Sequence, residues 1–446
     1  MKNRFLSLTA AALLLCPIVS AQDSWTLQKC IDYALENNIQ VQKNRINEEK
    51  GEVSLWQGKG ALFPSLNFNT SHSVGYRPFT EVMNVVQGDQ VTSTRTNVTY
   101  QGSYGLNARV TLWDGGISYK NLESQKLQNR ITALTTEQSE LTIQEQIAQY
   151  YVQIMYTKEA CKVNEQLLST AQSQYERGVE MMNQGQMAKA DVIQLEAQLS
   201  SAKYAVVNGQ TQLANYKRQL KALLELDLNT PFDVAGEIPS DEKVLGLIPS
   251  AQDAYSKALE SRPEIKSAEL SIDAANMQLD IARRGFLPTL SASASLGSSH
   301  TTGSKKVWGE QMKTNLNMSA GLSVSVPIFD NRRNMSNVKN AKLQQATSKL
   351  DLQDKKQTLS NTIEQYWINA NSNQQNYIAA KARVKSQEAS YELLNEQFQN
   401  GLKNTVDVLQ GRDNVINAEQ DLLQSKYTTL LNIQLLRFYT GEKIDL

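Results

Sequence analysis

Ile363, Ala370, Tyr377, Val384, Tyr391 and Phe398 stand seven residues apart, and no proline or glycine falls between them. This is the spacing of a helix seam packed against other helices. Asn400-Gly401 ends the seam, and Asp407 follows in Val406-Asp407-Val408-Leu409-Gln410, which opens another helical pattern. The same hairpin stands earlier in the chain. Ile147, Ile154, Cys161, Leu168, Tyr175 and Met182 keep the interval, Gly185 marks the turn, and Asp191 opens a return helix that runs to about Leu226. From Ile117 to Met182 the only breaker is Gly178. That helix would be about 100 Å long, longer than any ordinary globular helix.

Everything around the hairpins is doubled as well. Ala34-Leu35-Glu36 matches Ala258-Leu259-Glu260 and Pro64 matches Pro288, at an offset of 224 (258 minus 34, 288 minus 64). Further on, Asp114 matches Asp330, Tyr175 Tyr391, Gly185 Gly401, Asp191 Asp407, Gln194 Gln410 and Ala202 Ala418, at 216 (330 minus 114). The eight residues of difference fall in one loop, so the hairpins keep equal length. This predicts an internal two-fold repeat: 22–226, a linker over 227–249 punctuated by Pro231, Gly236, Pro239, Gly246 and Pro249, and 250–446.

Ahead of each hairpin the period changes from helical to two. Leu66, Phe68, Val74 and Tyr76 alternate with Asn67, Asn69, Ser71 and Ser73; a polar stretch from Arg77 to Thr99 follows; then Tyr104, Leu106, Ala108, Val110 and Leu112 alternate with Ser103, Asn107, Arg109 and Thr111. The later pair is cleaner, with Leu290 to Leu296 and Leu316 to Ile328 apolar at even positions. A water-soluble sandwich gives the same alternation, and so does a membrane barrel, whose strands are about 9 to 11 residues long with one apolar face.

The N-terminus reads as an export signal. Lys2 and Arg4 precede the apolar run Phe5 to Val19, and Val19-Ser20-Ala21 supplies small residues, which predicts a signal peptide over 1–21 cleaved after Ala21. The run is short for a membrane span. Leu15 stands before Cys16 where a lipid-attachment motif wants a small residue, so a lipid anchor is not expected. Cys30 and Cys161 remain, and nothing in their spacing favours a disulfide.

Four strands cannot close a barrel, and an open edge in lipid leaves backbone groups unsatisfied at several kcal/mol each. An exported chain with such strands must oligomerise. Two copies give eight strands, whose interior side chains alone nearly fill; three give twelve, with room for a lumen. The helices fit the same plan. Trp25 to Lys59 and Ala188 to Leu226 sum to roughly 70 residues or about 110 Å, so two stacked helices match one long one. The expected fold is mainly α with membrane β: a trimeric 12-stranded membrane β-barrel, 4 strands per chain, continued away from the membrane by a long α-helical barrel.

Leu112-Trp113-Asp114-Gly115-Gly116, Pro327-Ile328-Phe329-Asp330, Arg262-Pro263-Glu264, Leu287-Pro288-Thr289-Leu290 and the Gly-x5-Asp-Val-x-Gln of both hairpins carry a further signal. With them, essentially the whole mature chain resembles the TolC-like outer-membrane efflux protein family. The resemblance implies a trimeric outer-membrane β-barrel joined to a periplasmic α-helical barrel, the exit duct of a tripartite efflux or type I secretion system. Its implied partners are two further copies of the chain, a periplasmic adaptor protein, an inner-membrane pump and outer-membrane lipid. No cofactor is implied.

Asp191 and Asp407 each stand six residues past a turn glycine. In a trimer they form a ring of carboxylates, which attracts cations in a constriction; on spacing alone they serve equally as caps of the return helices near their N-termini. The resemblance favours a gate. Lys403 stands where relatives often carry Arg, and its expected role is a latch to Asp191 of an adjacent hairpin. Gln194 and Gln410 occupy positions where some relatives have a second acidic residue. Gly401-Leu402 matches the family's tip motif for adaptor docking, whereas Gly185-Gln186-Met187 matches only in the glycine.

Other functions find little support. Lys+Arg and Asp+Glu balance at 45 each, and no basic patch interleaved with aromatics suggests nucleic acid. No nucleophile-base-acid set or phosphate-cradling loop appears, and His72 and His300, the only histidines, do not suggest a metal site. Trp56, Phe63, Trp113 and Phe329 flank strands as belt aromatics or as core. The rival reading is a soluble periplasmic coiled-coil scaffold or adaptor.

Overall fold

Both seven-residue seams form unbroken helices in a computed structural model that describes residues 25–79, 83–87, 90–94, 98–227, 229–236, 240–302, 304 and 306–445. The expected signal peptide, with Cys16, lies outside the described residues. In chain order the elements are α1 (Leu27–Asn37), α2 (Ile39–Gly60), β1 (Ser65–Tyr76), β2 (Met83–Gln87), β3 (Gln90–Thr94), β4 (Val98–Trp113), α3 (Ile117–Asn183) and α4 (Lys189–Leu223). There follow α5 (Asp241–Val244), α6 (Ala251–Ser261), α7 (Pro263–Arg284), β5 (Thr289–Thr301), α8 (Trp308–Thr314), β6 (Asn317–Ser325), α9 (Arg333–Gln399) and α10 (Thr405–Tyr439). Helices α3 and α9 have 67 residues each, and α4 and α10 have 35 each. Two compact units cut across the sequence halves: the described residues of Met1–Gln42, Ser139–Ala258 and Asn361–Leu446, and a second unit of Lys43–Gln138 and Leu259–Ser360.

The second unit holds a four-stranded antiparallel sheet in the order β1-β4-β5-β6, with β1 and β6 at its edges. Its register keeps parity across all four strands up to a bulge between Thr111 and Trp113 of β4. Leu66 faces Ala108, which faces Ala294, which faces Ala320; Phe68, Leu106, Leu296 and Met318 form the next apolar row. Asn67, Asn107, Ser295 and Ser319 make a polar row on the other side, where the Ser295 and Ser319 hydroxyls lie 2.7 Å apart. Leu66, Phe68, Met318, Leu322 and Val324 are all exposed, so the apolar face is uncovered. Trp56, Phe63, Trp113 and Phe329 are exposed too, which argues against core packing within the chain. Among the described residues no helix is long and apolar enough to cross a membrane.

Gly102 lets two imidazoles meet on this apolar face. His72 and His300 flank it from neighbouring strands, their ring centroids 6.4 Å apart, and a Cβ on Gly102 would come within 2.2 Å of the His300 ring. The Tyr100 hydroxyl lies 2.8 Å from His72 Nδ1. Three details depart from expectation. The polar stretch Arg77 to Thr99 contains the hairpin β2-β3, the second loop contains α8, and β6 ends at Ser325 rather than continuing to Ile328. Pro327 has no amide hydrogen to extend that ladder.

The strand-to-helix corners are cut to one pattern. Asp114 accepts from the Ser118 amide at 2.8 Å, and Asp330 accepts from the Asn334 amide at 2.8 Å. Between each aspartate and its helix the chain takes two left-handed residues, Gly115 and Gly116 (φ 71° and 81°) in one corner, Asn331 and Arg332 (φ 54° and 64°) in the other. Only glycine adopts such angles without cost.

In the first unit the stretch read as one helix from Trp25 is two, broken at Asn38. The Asn38 side chain accepts from the Gln40 and Val41 amides at 2.9 and 3.3 Å, capping α2, and its amide donates to the Leu223 carbonyl at 2.9 Å. The break is thereby tied to the C-terminal end of α4. Two aspartates help to fasten the linker. Asp233 accepts from Lys158 and Lys217, each at 3.0 Å, while a parallel bridge joins Trp25 to Val234. Asp241, at the start of α5, accepts from Lys381 on α9, from the Tyr377 hydroxyl at 2.6 Å, and from Lys426 on α10 at 3.3 Å. Lys381 foremost, then Tyr377, holds the Asp241 carboxyl well below the usual carboxylate range. The core of this unit is densest at the end of α10, where Leu430, Ile433, Leu435 and Leu436 are all fully buried. Thr429, Asn432 and Gln434 are buried among them. Cys30 and Cys161 are buried and free, and burial pushes the Cys30 thiol up to about 12.

Candidate gate at the hairpin turns

Both turns are built by the same hydrogen bonds. At the first, Gly185 donates to the Met182 carbonyl at 2.9 Å and Gln186 to Met181 at 2.8 Å; at the second, Gly401 donates to Phe398 at 2.9 Å and Leu402 to Gln397 at 2.9 Å. These are the paired bonds of a Schellman stop, which needs a left-handed residue after the helix. Gly185 and Gly401 supply it at φ 75° and 71°, with open space around each. Behind the turns the helices close tightly. A Cβ on Gly178 would meet Leu195 at 2.5 Å, and one on Gly411 would meet Leu394 at 2.7 Å.

Asp191 and Asp407 both occupy the third position of their return helices, α4 and α10. Neither is the cap itself. Asn404 caps α10 by accepting from the Asp407 amide at 2.9 Å, whereas Ala188 before α4 offers no side-chain bond. Each carboxylate thus faces the positive end of its helix, which stabilises it by a few tenths to about 1 kcal/mol, and each keeps its oxygens partly open to water. Lys403 lies 3.7 Å from Asp407 on its own helix start, both about two-fifths exposed. Gln194 is exposed; Gln410, also exposed, donates to Asn414 at 3.4 Å. Leu402 is 75% exposed.

A polar group that the sequence reading missed lies one helical turn behind Asp407. Arg412 is 5% exposed and donates to Gln174 of α3 at 2.7 Å, while Gln198 of α4 donates to Asp413 at 3.2 and 3.4 Å. The second hairpin is thereby bonded to both helices of the first. Arg412 Nε and Gln198 Oε1 are buried without partners among the described residues. A half-satisfied buried network of this kind is weakly held compared with an apolar seam. Its signal was present in the spacing: Thr405, Val408, Leu409 and Arg412 fall at the buried intervals of one helix face. Higher on the same helices, Glu145 of α3 accepts from the hydroxyls of Tyr366 on α9 and, at 3.1 Å, Tyr439 on α10.

The family model described as "Outer membrane efflux protein" matches residues 30–225 and 254–442. The alkaline protease secretion protein AprF of Pseudomonas aeruginosa is 22% identical over 411 residues, covering 92% of this chain and 82% of that one. The outer membrane protein TolC of Escherichia coli is 24% identical over 422 residues, 93% of this chain and 81% of its own. Among solved structures, the Campylobacter jejuni CmeC outer membrane channel superposes with a TM-score of 0.79 at 22% identity, over 94% of this chain and 87% of that one. The Neisseria gonorrhoeae MtrE outer membrane channel in its open state gives 0.75 at 20% identity, over 94% and 89%.

Proposed function

The chain belongs to the outer membrane efflux protein family, and from that premise we propose how it serves as an outer-membrane exit duct whose helical part stands in the periplasm. Three copies close a barrel: four strands each, three times four, make twelve. The observation that carries this is the sheet itself, with unpaired edges at β1 and β6 and an uncovered apolar face. In water such edges invite aggregation; in lipid only closure satisfies them. The chain is a tandem repeat of one hairpin unit, 22–226 and 250–446 joined by 227–249, a reading supported by the equal 67- and 35-residue helices of the two hairpins.

The hairpin turns form the gate. Asp191 and Asp407 of three chains make an acidic constriction that favours cations, with Gln194 and Gln410 lining it one turn on. Lys403 latches the closed state to Asp191 of an adjacent hairpin, exchanging its 3.7 Å pairing with Asp407 to do so. Gly185, Gly401 and Leu402 form the surface on which a periplasmic adaptor docks, and an inner-membrane pump feeds the duct through it. Exposed Leu402 and the more polar Gln186 at the matching turn make the two docking sites unequal. Planar-bilayer recording, with the mass of the detergent-solubilised oligomer, tests this reading. Trimer mass and discrete conductance steps are expected; a monomer extracted without detergent and silent in bilayers overturns it.

A further inference from the structure

The four strands of the sheet carry a single formal charge among their described residues, Arg109 on β4. Its register places it on the polar face, between Ser65 of β1 and Ser293 of β5, with Gly321 beyond. The rest of that face is neutral, and its hydroxyls satisfy one another where they meet, as between Ser71 and Ser103 at 2.8 Å. The Arg109 guanidinium is exposed and makes no hydrogen bond or ion pair among the described residues. A guanidinium stays protonated at any working pH and presents a planar fork suited to carboxylate and phosphate. With serines on both flanks and a glycine next to them, nothing from the sheet fills that fork.

We propose that Arg109 is an anion-selecting residue of the strand-lined duct, repeated three times around the lumen near the end where the strands join the helices. The assignment rests on the barrel reading above, in which the polar face turns inward. In a lumen otherwise lined by serine and asparagine, three fixed positive charges raise the local concentration of anions and lower that of cations. The ligand class is small anions and the carboxylate or phosphate groups of anionic cargo. The sign is opposite to that of Asp191 and Asp407, so the duct has two charge filters rather than one.

Reversal potentials of the reconstituted full chain in a potassium chloride gradient test the assignment. Removing the charge in Arg109→Gln is expected to raise the cation-to-anion permeability ratio by about threefold to tenfold at 0.1 M salt, and by less at 1 M. Arg109→Lys should stay near wild type. Hexacyanoferrate(II), a compact tetra-anion, should block wild type and lose that block in Arg109→Gln. A second route avoids any folding defect: Arg109→Cys, once inserted, is treated with a thiol reagent that attaches an ammonium or a sulfonate, since Cys30 and Cys161 are buried. The ammonium adduct should restore anion preference and the sulfonate reverse it. Channels whose selectivity is the same in wild type, Arg109→Gln and both adducts overturn this inference and leave the barrel reading standing. Wild-type protein that forms no channel overturns both.

Discussion

Arg332 sits at φ 64°, an angle its Cβ opposes, in the corner position that Gly116 occupies 216 residues earlier at φ 81°. Replacing it should therefore help. Arg332→Gly is expected to stabilise by about 0.5 to 1 kcal/mol, the left-handed strain relieved less the entropy glycine adds to the unfolded chain, seen as a higher midpoint in detergent thermal melts. Asn38 works in the other direction. Its side chain caps α2 and also bonds the Leu223 carbonyl, so Asn38→Ala should cost about 1 to 2 kcal/mol, read in the same melts. The helical pattern from Trp25 to Lys59 was legible in the sequence. That Asn38 would reach a carbonyl 185 residues away was not, because no local pattern encodes which helix end lies opposite.

At the level of elements, the seven-residue interval specified the long helices and the two-residue interval specified the faces of the sheet. Both are periodicities of a chain packing against something, and so survive without knowledge of the partner. The pieces that the sequence hid are those with no repeating burial: the β2-β3 hairpin, the seven-residue α8, and the linker turn α5 fixed by Asp241. Arg412 was hidden for another reason, since a charge at a seam position reads as surface until its partner Gln174 is seen. Two measurements belong here. Gly401→Ala should cost about 1 to 2 kcal/mol, since its surroundings are open and only the left-handed angle is penalised. Asp241 binds protons less readily folded than unfolded, so its contribution is complete above the ordinary aspartate range and fades as pH falls through its depressed folded value. The gap in unfolding free energy between wild type and Asp241→Asn, about 1 kcal/mol at pH 7 and read from urea melts, should narrow below about pH 4.

For the whole molecule, the proposed gate and the proposed selectivity of the strand-lined duct can be separated by substitution. Asp407→Asn should lower the cation-to-anion permeability ratio, opposite in sign to the Arg109 change, and Lys403→Ala should raise single-channel conductance if the latch operates between hairpins; both are read from the same bilayer traces. The acidic positions themselves were visible in the sequence at Asp191 and Asp407, whereas the Asp407 pairing with Lys403 on one helix emerged only from the geometry. The matched 67- and 35-residue arms carry one more consequence. They make each hairpin a ruler graduated in heptads, because a length change keeps its seam only in steps of seven residues, each about 10 Å. Adapting this duct to a wider cell envelope therefore requires the same whole-step insertion in both hairpins at once, and an insertion of three or four residues in either arm would turn its seam off the core.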